Sequence, residues 1–448
     1  MTIAQSVLQK DHVRELVERY SRDLANTERM SLRDLKHYQE RSLVWLVRHA
    51  RNQLPFYRSR LDALFKADGE IDLSRWNEVP ILRRDEVSAY GREMRVSHLP
   101  AIYGAIREWR TSGTSGEPLE IASNDLVLLT SNLLFTRMVR WFGLDNSRPL
   151  ATIRRFINNP VPAGPEGRVS IGWSLAKPGA PLYEMDIMEP VEQQLEWLLR
   201  HKAPYLMTQP SGALAIAHAV TPESGRALGI EFVILVGETI PDGARDFIAE
   251  RLGARVAGVY ACQEIGAIAC ECEVVPHYHI AAENALVEIL DERERDVAPS
   301  EHGRVVVTGF FNYAMPFIRY DLGDIAQAGP TACPCGRAMP VITRIVGRTR
   351  NAFVFRDGAR LWLRDAMVQP MNAFVPFRRY QLVQLDHERI EFRYIPDGSG
   401  RDPDLVGLNA YARTVLHPSI QMSIREMEAF PRGPSGKVDE FISQVPVG

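Results

Sequence analysis

Short apolar runs alternate with helical stretches through the middle of this chain, from about residue 105 to about residue 345. Four of these runs read EFVILVG, ARVAGVY, ALVEIL and GRVVVTGF. This pattern is typical of strands joined by crossover helices in an α/β fold. Parallel strands of this type place ligands at their carboxyl ends. We therefore expect functional residues directly after the apolar runs.

The flanking segments follow other patterns. Residues 1–100 repeat apolar residues at helical spacing, as in DHVRELVERYSRDLANT, and Pro55 is expected to end the second helix. About 100 residues follow Gly347 with their own strand and helix patterns. The sequence therefore predicts an α/β protein with two domains. Residues 1–346 would form a large domain of mixed or parallel sheets and helices, and residues 347–448 a small α+β domain.

The composition excludes several classes of protein. Of the 448 residues, 45% are apolar and 24% are charged, close to the average for soluble globular proteins. The net charge of −3 gives no basic excess that would attract nucleic acid. No run approaches the roughly 18 apolar residues that a membrane span needs. The first residues lack the apolar centre of a secretory signal, so we expect a cytoplasmic enzyme that binds neither nucleic acid nor membrane.

A segment rich in serine, threonine and glycine indicates a phosphate site. Its glycines leave room for close backbone approach, and its backbone N–H groups and hydroxyls can together surround an anion. No Lys-Ser/Thr pair follows the last glycine, so the segment is not a Walker motif. A flexible surface turn is the alternative interpretation. The residues are Thr111, Ser112, Gly113, Thr114, Ser115 and Gly116.

Polar residues follow three of the apolar runs. Gly237 and Glu238 end the first, although an acid at a helix N-terminus is the alternative interpretation for Glu238. Tyr260 offers a ring that could stack on a base, and Glu264 offers an oxygen ligand for Mg²⁺. Asp324 follows a glycine turn and could accept bonds from ribose hydroxyls. A core tyrosine, a solvated glutamate and an ordinary turn are the corresponding alternatives.

The order of these motifs is more specific than any one of them. Gly347 and Arg348 follow the Gly-Asp motif, and Lys437 follows a Gly-rich turn from which it could reach a phosphate or carboxylate. With these motifs in this order, the chain resembles the adenylate-forming superfamily, and within it the phenylacetate–CoA ligase branch. The resemblance runs from about residue 50 to about residue 440. It is carried by LPFYRSRLDAL, VPILRRDEV, TSGTSGEP, LMTQPSGALA, HIAAENALVEIL, FIRYDLGD and CPCGRAMP.

The resemblance implies an AMP-forming acid–thiol ligase. Such an enzyme uses ATP and Mg²⁺ to convert a carboxylic acid, here aromatic or arylalkanoic, into an acyl-adenylate and pyrophosphate. The thiol of coenzyme A then displaces AMP. Residues 1–346 would be the adenylation core, and residues 347–448 a lid that swings about Gly347 and Arg348 between the two steps. Relatives also suggest a homodimer.

The resemblance also implies a role for each motif residue. The loop from Thr111 to Gly116 would hold the β- and γ-phosphates, with Thr111 taking part in catalysis. Gly237 and Glu238 would line the adenine site, with Tyr260 stacked on the base. Glu264 would bind Mg²⁺, Asp324 the ribose with Arg348 nearby, and Lys437 would bridge the attacking carboxylate and the α-phosphate.

Two positions depart from the family pattern. Gln263 stands before the metal-binding glutamate where relatives carry threonine or serine, although its longer amide could still reach a phosphate. Arg350 and Asn351 stand where relatives carry two acids after the hinge, so the lid movement could differ.

The five cysteines are an odd number, which argues against a disulfide framework, and all lie within one quarter of the chain, which indicates a metal. The segment from Cys270 to His279 and the later Cys-Pro-Cys turn have the chemistry of zinc ligands, and some relatives carry a structural zinc there. We predict a zinc site of Cys272, His279, Cys333 and Cys335, with Cys270 and His277 in reserve and Cys262 as a packing residue. Buried free thiols beside a strand histidine are the alternative.

Three hypotheses about the function stay open. The first is the CoA ligase, whose apolar acyl pocket could come from Trp141, Phe142 and residues 171–173 unless these lie in the core. The second is an adenylate-forming ligase of specialised metabolism that passes the activated acyl group to an amine, a carrier-protein thiol or another nucleophile. The third is an inert nucleotide-binding protein, against which the presence of Lys437 argues.

Overall fold

The computed structural model describes residues 11–110, 119–175, 179–348, 352–363, 365–430, 438 and 440–445. No helix within these ranges is long and apolar enough to cross a membrane. The α-helices are α1 (Asp11–Thr27), α2 (Leu32–Gln53), α3 (Tyr57–Arg60), α4 (Arg84–Tyr90), α5 (Asp125–Trp141), α6 (Val191–His201), α7 (Pro210–His218), α8 (Pro222–Ala227), α9 (Ala244–Leu252), α10 (Asp365–Val368) and α11 (Leu405–Val415).

The strands fall into two larger sheets and two short hairpins. They are β1 (Ile106–Arg110), β2 (Glu120–Asn124), β3 (Leu150–Arg154), β4 (Arg168–Ile171), β5 (Pro181–Asp186), β6 (Tyr205–Thr208), β7 (Phe232–Val236), β8 (Arg255–Cys262), β9 (Gly266–Glu271), β10 (Tyr278–Ile280), β11 (Ala285–Leu290), β12 (His302–Gly309), β13 (Tyr320–Ala328), β14 (Val341–Arg348), β15 (Phe353–Val354), β16 (Arg360–Leu361), β17 (Phe377–Gln384), β18 (Arg389–Pro396), β19 (Gln421–Glu426) and β20 (Phe441–Ser443).

The predicted N-terminal helices are confirmed. The side chain of Ser31 accepts a hydrogen bond from the backbone N–H of Asp34 and caps α2. Proline cannot continue a helix, and the chain leaves α2 at Leu54, directly before Pro55. Apolar residues at helical spacing on α2 are buried against the large domain, among them Leu46 and Val47.

The large sheet has twelve strands in the order β11-β12-β13-β14-β10-β9-β8-β7-β6-β3-β5-β4. The pairs β5–β3, β3–β6, β6–β7 and β7–β8 are parallel. From β8 to β11, and at the β4 edge, neighbouring strands are antiparallel. The predicted mixed α/β fold is therefore confirmed, and the carboxyl ends of the parallel strands lie next to one another.

Burial on both faces of the sheet explains the apolar sequences of the parallel strands. The run Phe232–Val236 is apolar at every position because β7 lies between parallel neighbours and is covered on both faces. Residues of α6, α7 and α9 pack with these strands in one apolar cluster, which includes Trp197, Ile216 and Ile248. The loops that leave the strands are thereby held on a rigid support.

The C-terminal segment has a core of its own. Its four strands are arranged in the order β19-β18-β17-β20. α11 packs against β19, and Leu408 of this helix joins Phe353 and Phe392 in one apolar cluster. This is the small α+β unit that the sequence predicts. The domain boundary at residue 347 remains a prediction.

Candidate active site

Tyr260, Asp324 and Arg348 meet at one point of the large sheet. The Tyr260 hydroxyl donates to Asp324 Oδ2 at 2.7 Å, and Arg348 Nε lies 3.1 Å from Asp324 Oδ1. The register of β13 with β14 places Asp324 directly opposite Arg348. Gly323, immediately before, has a φ of +71°, a conformation that favours glycine. The structure thus brings together three residues that the sequence separates by up to 88 positions.

Tyr260 is the hydrogen-bond donor of this cluster. Burial, and then the charge of Asp324, raise the pKa of Tyr260 well above its ordinary value. The phenol is therefore a hydrogen-bond donor at neutral pH. Asp324 is only 8% exposed, but its two oxygens offer about four acceptor positions, of which Tyr260 and Arg348 occupy two. The carboxylate can still accept bonds from a vicinal diol.

Glu238 binds the first turn of α7. Its carboxylate accepts hydrogen bonds from the backbone N–H of Ser211 at 2.9 Å and from Ser211 Oγ at 3.0 Å. Gly237 makes the preceding turn with a φ of +87°. The alternative interpretation of Glu238 as an acid at a helix N-terminus is therefore correct, although the helix is α7, which lies earlier in the sequence and is separated from Glu238 by α8. Its adenine role remains a prediction.

Glu264 lies in the turn between β8 and β9 and is 8% exposed. Burial raises the pKa of Cys262, and the nearby carboxylate of Glu264 raises it further. The side chain of Asn312 donates to the carbonyl oxygens of both Glu264 and Ala122, which joins this turn to β2. The neighbouring Gln263 is exposed at the edge of a cavity.

The hairpin of β1 and β2 was not anticipated from the sequence. It flanks the segment 111–118 on both sides, and Arg110 pairs with Glu120 at its end. The backbone of Arg110 is held by Asn158, with Arg110 N to Asn158 Oδ1 at 3.0 Å and Asn158 Nδ2 to Arg110 O at 3.2 Å. The following predicted residues lie outside the described part of the chain: Thr111, Ser112, Gly113, Thr114, Ser115, Gly116, Arg350, Asn351 and Lys437.

A cavity of about 460 Å³ opens beside this hairpin. One face of α5 lines it, together with the β8–β9 hairpin and residues 154–159. The lining is largely apolar, as in most small-molecule sites. The α5 residues recur at helical spacing, a signal that could have predicted a shared face. They are Val127, Leu128, Ser131, Leu134, Phe135, Arg137 and Met138.

The aromatic residues considered for an acyl pocket do not line this cavity, although Trp141 lies behind its wall. Trp141 and Trp173 are buried in one apolar cluster with Phe232, and Phe142 packs against it. Ile171 is exposed on the edge strand β4. The structure therefore favours the alternative of core and edge residues for this set.

Three thiols and two imidazoles lie together near the β9–β10 turn. Cys272 Sγ is 3.8 Å from Cys333 Sγ, His277 Nε2 is 3.1 Å from Cys333 Sγ, and His279 Nε2 is 3.2 Å from Cys335 Sγ. The ligand atoms of Cys272, His277, His279 and Cys333 are all within 4.8 Å of one another. This group of four thus contains three of the predicted ligands and the reserve His277, and the fourth predicted ligand, Cys335, is placed beside it by its contact with His279.

The donor set fits a closed zinc site. Two sulfurs bound tetrahedrally to one zinc at ~2.3 Å lie ~3.8 Å apart, which matches the Cys272–Cys333 distance. The His–Cys distances are hydrogen-bond lengths and would open by a few tenths of an ångström. Burial lowers the pKa of His279 to about 4, so its imidazole is neutral at pH 7, the form that binds metal. The other reserve, Cys270, lies apart, in the wall of the cavity.

Comparison with known proteins gives a consistent set of relatives. No protein-family model matches the chain. The phenylacetate–coenzyme A ligase of Thermus thermophilus is 26% identical over 361 residues, covering 75% of each protein. The enzyme of the same name from Escherichia coli is 23% identical over 338 residues, covering 73% of this chain and 74% of that enzyme.

Solved structures show the same fold. A 2-hydroxyisobutyryl-CoA ligase in the postadenylation state, with R3-HIB-AMP bound, matches with a TM-score of 0.75 and 18% identity, over 94% of this chain and 92% of that one. The same ligase in its thioesterification state, with 2-HIB-AMP and CoA, covers 94% and 91% and matches with a TM-score of 0.60 at 18% identity.

Proposed function

We propose that this chain, which belongs to the adenylate-forming superfamily in its phenylacetate–CoA ligase branch, converts a carboxylic acid and ATP into an acyl-adenylate and pyrophosphate and then transfers the acyl group to coenzyme A. The observation that carries the proposal is the convergence of Tyr260, Asp324 and Arg348 at the sheet that also forms the wall of the 460 Å³ cavity. A nucleoside diol and an apolar acid could occupy these two sites together. The largely apolar lining favours an aromatic or arylalkanoic acid.

In the proposed complex the nucleotide lies across the carboxyl ends of the parallel strands. Asp324 accepts the ribose hydroxyls while Arg348 balances its charge, and Tyr260 supports the adenine ring. Gly237 and Glu238 form the edge of the adenine site. The segment from Thr111 to Gly116 surrounds the β- and γ-phosphates with backbone N–H groups.

The first step needs charge neutralisation, because a carboxylate oxygen must attack the phosphorus of a polyanion. In the proposal the ammonium group of Lys437 lies between the carboxylate and the α-phosphate, and Glu264 holds Mg²⁺. The metal supplies positive charge to the phosphates. In the proposal Gln263, which lines the cavity and precedes Glu264 in the sequence, donates an amide hydrogen bond to a phosphate oxygen. Attack forms the acyl–phosphate bond and releases pyrophosphate.

In the second step the CoA thiolate attacks the acyl carbon and AMP leaves. We propose that residues 347–448 are the lid that turns between the steps. The better match to the postadenylation state, a TM-score of 0.75 against 0.60, supports a lid that lies here as it does after adenylation. Lys437 would then serve the first step only.

We propose a structural zinc ion held by Cys272, Cys333, Cys335 and His279, with His277 as the alternative imidazole. The three sulfurs come from two turns that lie some 60 residues apart in the sequence. All four positions of a tetrahedral ion can be filled by the protein, which is the mark of a structural site.

A homodimer is also proposed, and light scattering on the purified protein would test it.

An exchange assay tests the proposal. Purified protein should incorporate labelled pyrophosphate into ATP only when a suitable acid is present, with aromatic and aliphatic acids offered as a panel. CoA should then cause stoichiometric AMP release. If exchange occurs but only an amine or a carrier-protein thiol releases AMP, the specialised-ligase hypothesis replaces CoA transfer. If none of the acids in the panel supports exchange, the hypothesis of an inert nucleotide-binding protein is favoured.

Matched variants locate the chemistry. Lys437→Ala should lower exchange by orders of magnitude while ATP still binds. Asp324→Asn should raise the KM for ATP, because one ribose acceptor becomes an amide. Asp321 lies three residues earlier and pairs with Arg304 at 3.1 Å, so Asp321→Asn is the control and should leave the KM for ATP unchanged. Equal effects of the two aspartate variants would contradict the ribose role.

A further inference from the structure

The wall of the cavity contains a buried guanidinium group. Arg137 of α5 lines the cavity although the residue is only 3% exposed. Its Nη1 donates to Glu283 Oε1 at 2.8 Å. Its Nε–H has no hydrogen-bond partner within the described part of the chain. An unpaired buried donor is costly, and Arg137 is one of the residues that line the cavity, so a ligand oxygen that reaches this N–H would remove that cost.

The orientation of this guanidinium group is fixed. Its central carbon lies 5.0 Å from the ring centre of Trp141. Arg337 is held by two hydrogen bonds to Glu273, and its central guanidinium carbon lies 4.0 Å from the centre of the same ring. A planar guanidinium group held on an aromatic ring presents its N–H groups in fixed directions. Arg137 is therefore organised for recognition before any ligand binds.

Arg137 lies far from the nucleotide end of the cavity. Trp109 and Ser123 of the β1–β2 hairpin, whose strands flank residues 111–118 in the sequence, line the cavity, as does Val127 in the first turn of α5. Val127 and Arg137 are ten positions apart, which corresponds to ~15 Å along a helix. An acid whose carboxylate lies at the nucleotide would point its other end toward Arg137.

The charges already present around Arg137 determine which kind of ligand group it can bind. Glu283 is fully buried and already neutralises Arg137; it also accepts a hydrogen bond from Thr27. An anionic group on the ligand would leave one uncompensated negative charge in a buried site, which is strongly unfavourable. A neutral oxygen, such as a hydroxyl or a carbonyl, gains the hydrogen bond without that cost.

We infer that Arg137 determines specificity at the far end of the acyl cavity, and that the acid carries a neutral hydrogen-bond acceptor on its apolar body. This inference rests on the proposed function. An acid without the acceptor leaves the Nε–H of Arg137 unpaired, and a site built to bind an oxygen discriminates strongly against analogues that lack it.

The test compares acids of nearly equal shape in the exchange assay. The probes are phenylacetate, para-methylphenylacetate and the meta- and para-hydroxyphenylacetates. The best hydroxylated acid should exceed the methylated acid in kcat/KM by about ten- to a hundredfold, the effect of one hydrogen bond to a charged group. Exchange that is equal for all four acids would overturn the inference and leave the proposed function standing. Failure with every acid of a broad panel would overturn both.

A double variant assigns the selectivity to Arg137. Arg137→Met with Glu283→Gln removes both buried charges at once, so that neither is left unpaired. The ratio of kcat/KM for the hydroxylated acid to kcat/KM for the methylated acid should fall to about one. Arg140→Met is the control, because Arg140 lies on the same helix, one turn further, and pairs with Glu28 at the surface; its ratio should equal that of the wild type. A ratio that persists in the double variant would overturn the assignment, and if that variant does not fold, the wild-type comparison decides.

Discussion

Replacing Tyr260 by phenylalanine tests the nucleotide site most directly. The change keeps the ring that would support adenine and removes only the hydroxyl that donates to Asp324 Oδ2 at 2.7 Å. A hydrogen bond to a charged group contributes about 1.5 to 3 kcal/mol. Because Asp324 keeps its contact with Arg348 at 3.1 Å, we expect the lower value. About 1.5 kcal/mol corresponds to a roughly tenfold change in an equilibrium constant.

The hydroxyl acts on ATP only through the position of Asp324, so this figure is an upper limit, and we expect the KM for ATP to rise by up to about tenfold in Tyr260→Phe, with a change in kcat of less than about threefold. A loss of binding that is equal in ground and transition states raises KM alone. The assay is pyrophosphate exchange at saturating acid, with ATP varied. The equilibrium affinity for ATP, measured by calorimetry, should fall by the same factor.

The control is Tyr278→Phe. Tyr278 is also a buried tyrosine with a charged partner, since Arg245 Nη2 donates to its hydroxyl at 3.2 Å, but it lies outside the proposed nucleotide site. Both variants should lose some stability, and only Tyr260→Phe should lose affinity for ATP. An ATP affinity that stays within twofold of the wild type in Tyr260→Phe would show that Tyr260 is an ordinary core tyrosine.

Three further predictions address the metal, the buried ion pair and the pH dependence. Elemental analysis should find about one zinc per chain, and Cys333→Ser combined with Cys335→Ser should remove it; zinc-free wild-type protein after expression with ample zinc would contradict the site. Glu283→Ala should lower the free energy of unfolding in urea by about 3 to 5 kcal/mol, because Arg137 is left buried and unpaired; a loss below about 1 kcal/mol would contradict this. Burial and neighbouring arginines lower the pKa of His218 to about 4, so the unfolded chain takes up its proton first as the pH falls. The free energy of unfolding should therefore decrease from about pH 6.5 to pH 4, and His218→Gln should decrease less over that interval; identical pH profiles would refute the assignment.

Local patterns predicted much of the fold. The helix that covers Asp11–Thr27 and the end of α2 before Pro55 follow from apolar spacing and from the chemistry of proline. The buried strand β7 follows from an apolar run with a glycine at its end. These features depend on residues close together in the sequence, and the sequence therefore contains their signal.

The candidate site could be predicted only in part. Its residue types were recognisable from motifs, but the contact of Tyr260 with Asp324 depends on how distant strands are ordered in the sheet. The pair of Arg137 and Glu283 joins residues 146 positions apart, and no local pattern of either residue indicates the other. The same reason explains why the sequence could not decide whether Trp141 lines the acyl pocket or lies in the core, and why His277 stayed in reserve beside His279.

The predicted roles of Thr111–Gly116 and of Lys437 were not tested, because these residues lie outside the described ranges. They remain predictions of the family resemblance. The hydrogen bonds of Arg110 with Asn158 at least show that the strand leading into the phosphate segment is anchored beside the cavity.

The pairing of β13 with β14 limits how the proposed lid can turn. The ladder continues to the last residue of β14, where Arg348 is registered against Asp324. A rotation that began earlier would have to break ladder hydrogen bonds and separate the ribose carboxylate from its counter-charge. The proposed hinge at Gly347 and Arg348 therefore lies at the very end of this ladder, and the carboxylate that would hold the ribose, on β13, belongs to the stationary side of the joint. AMP could then keep its position while the lid rotates, so that only the lid residues that face it change between the two steps.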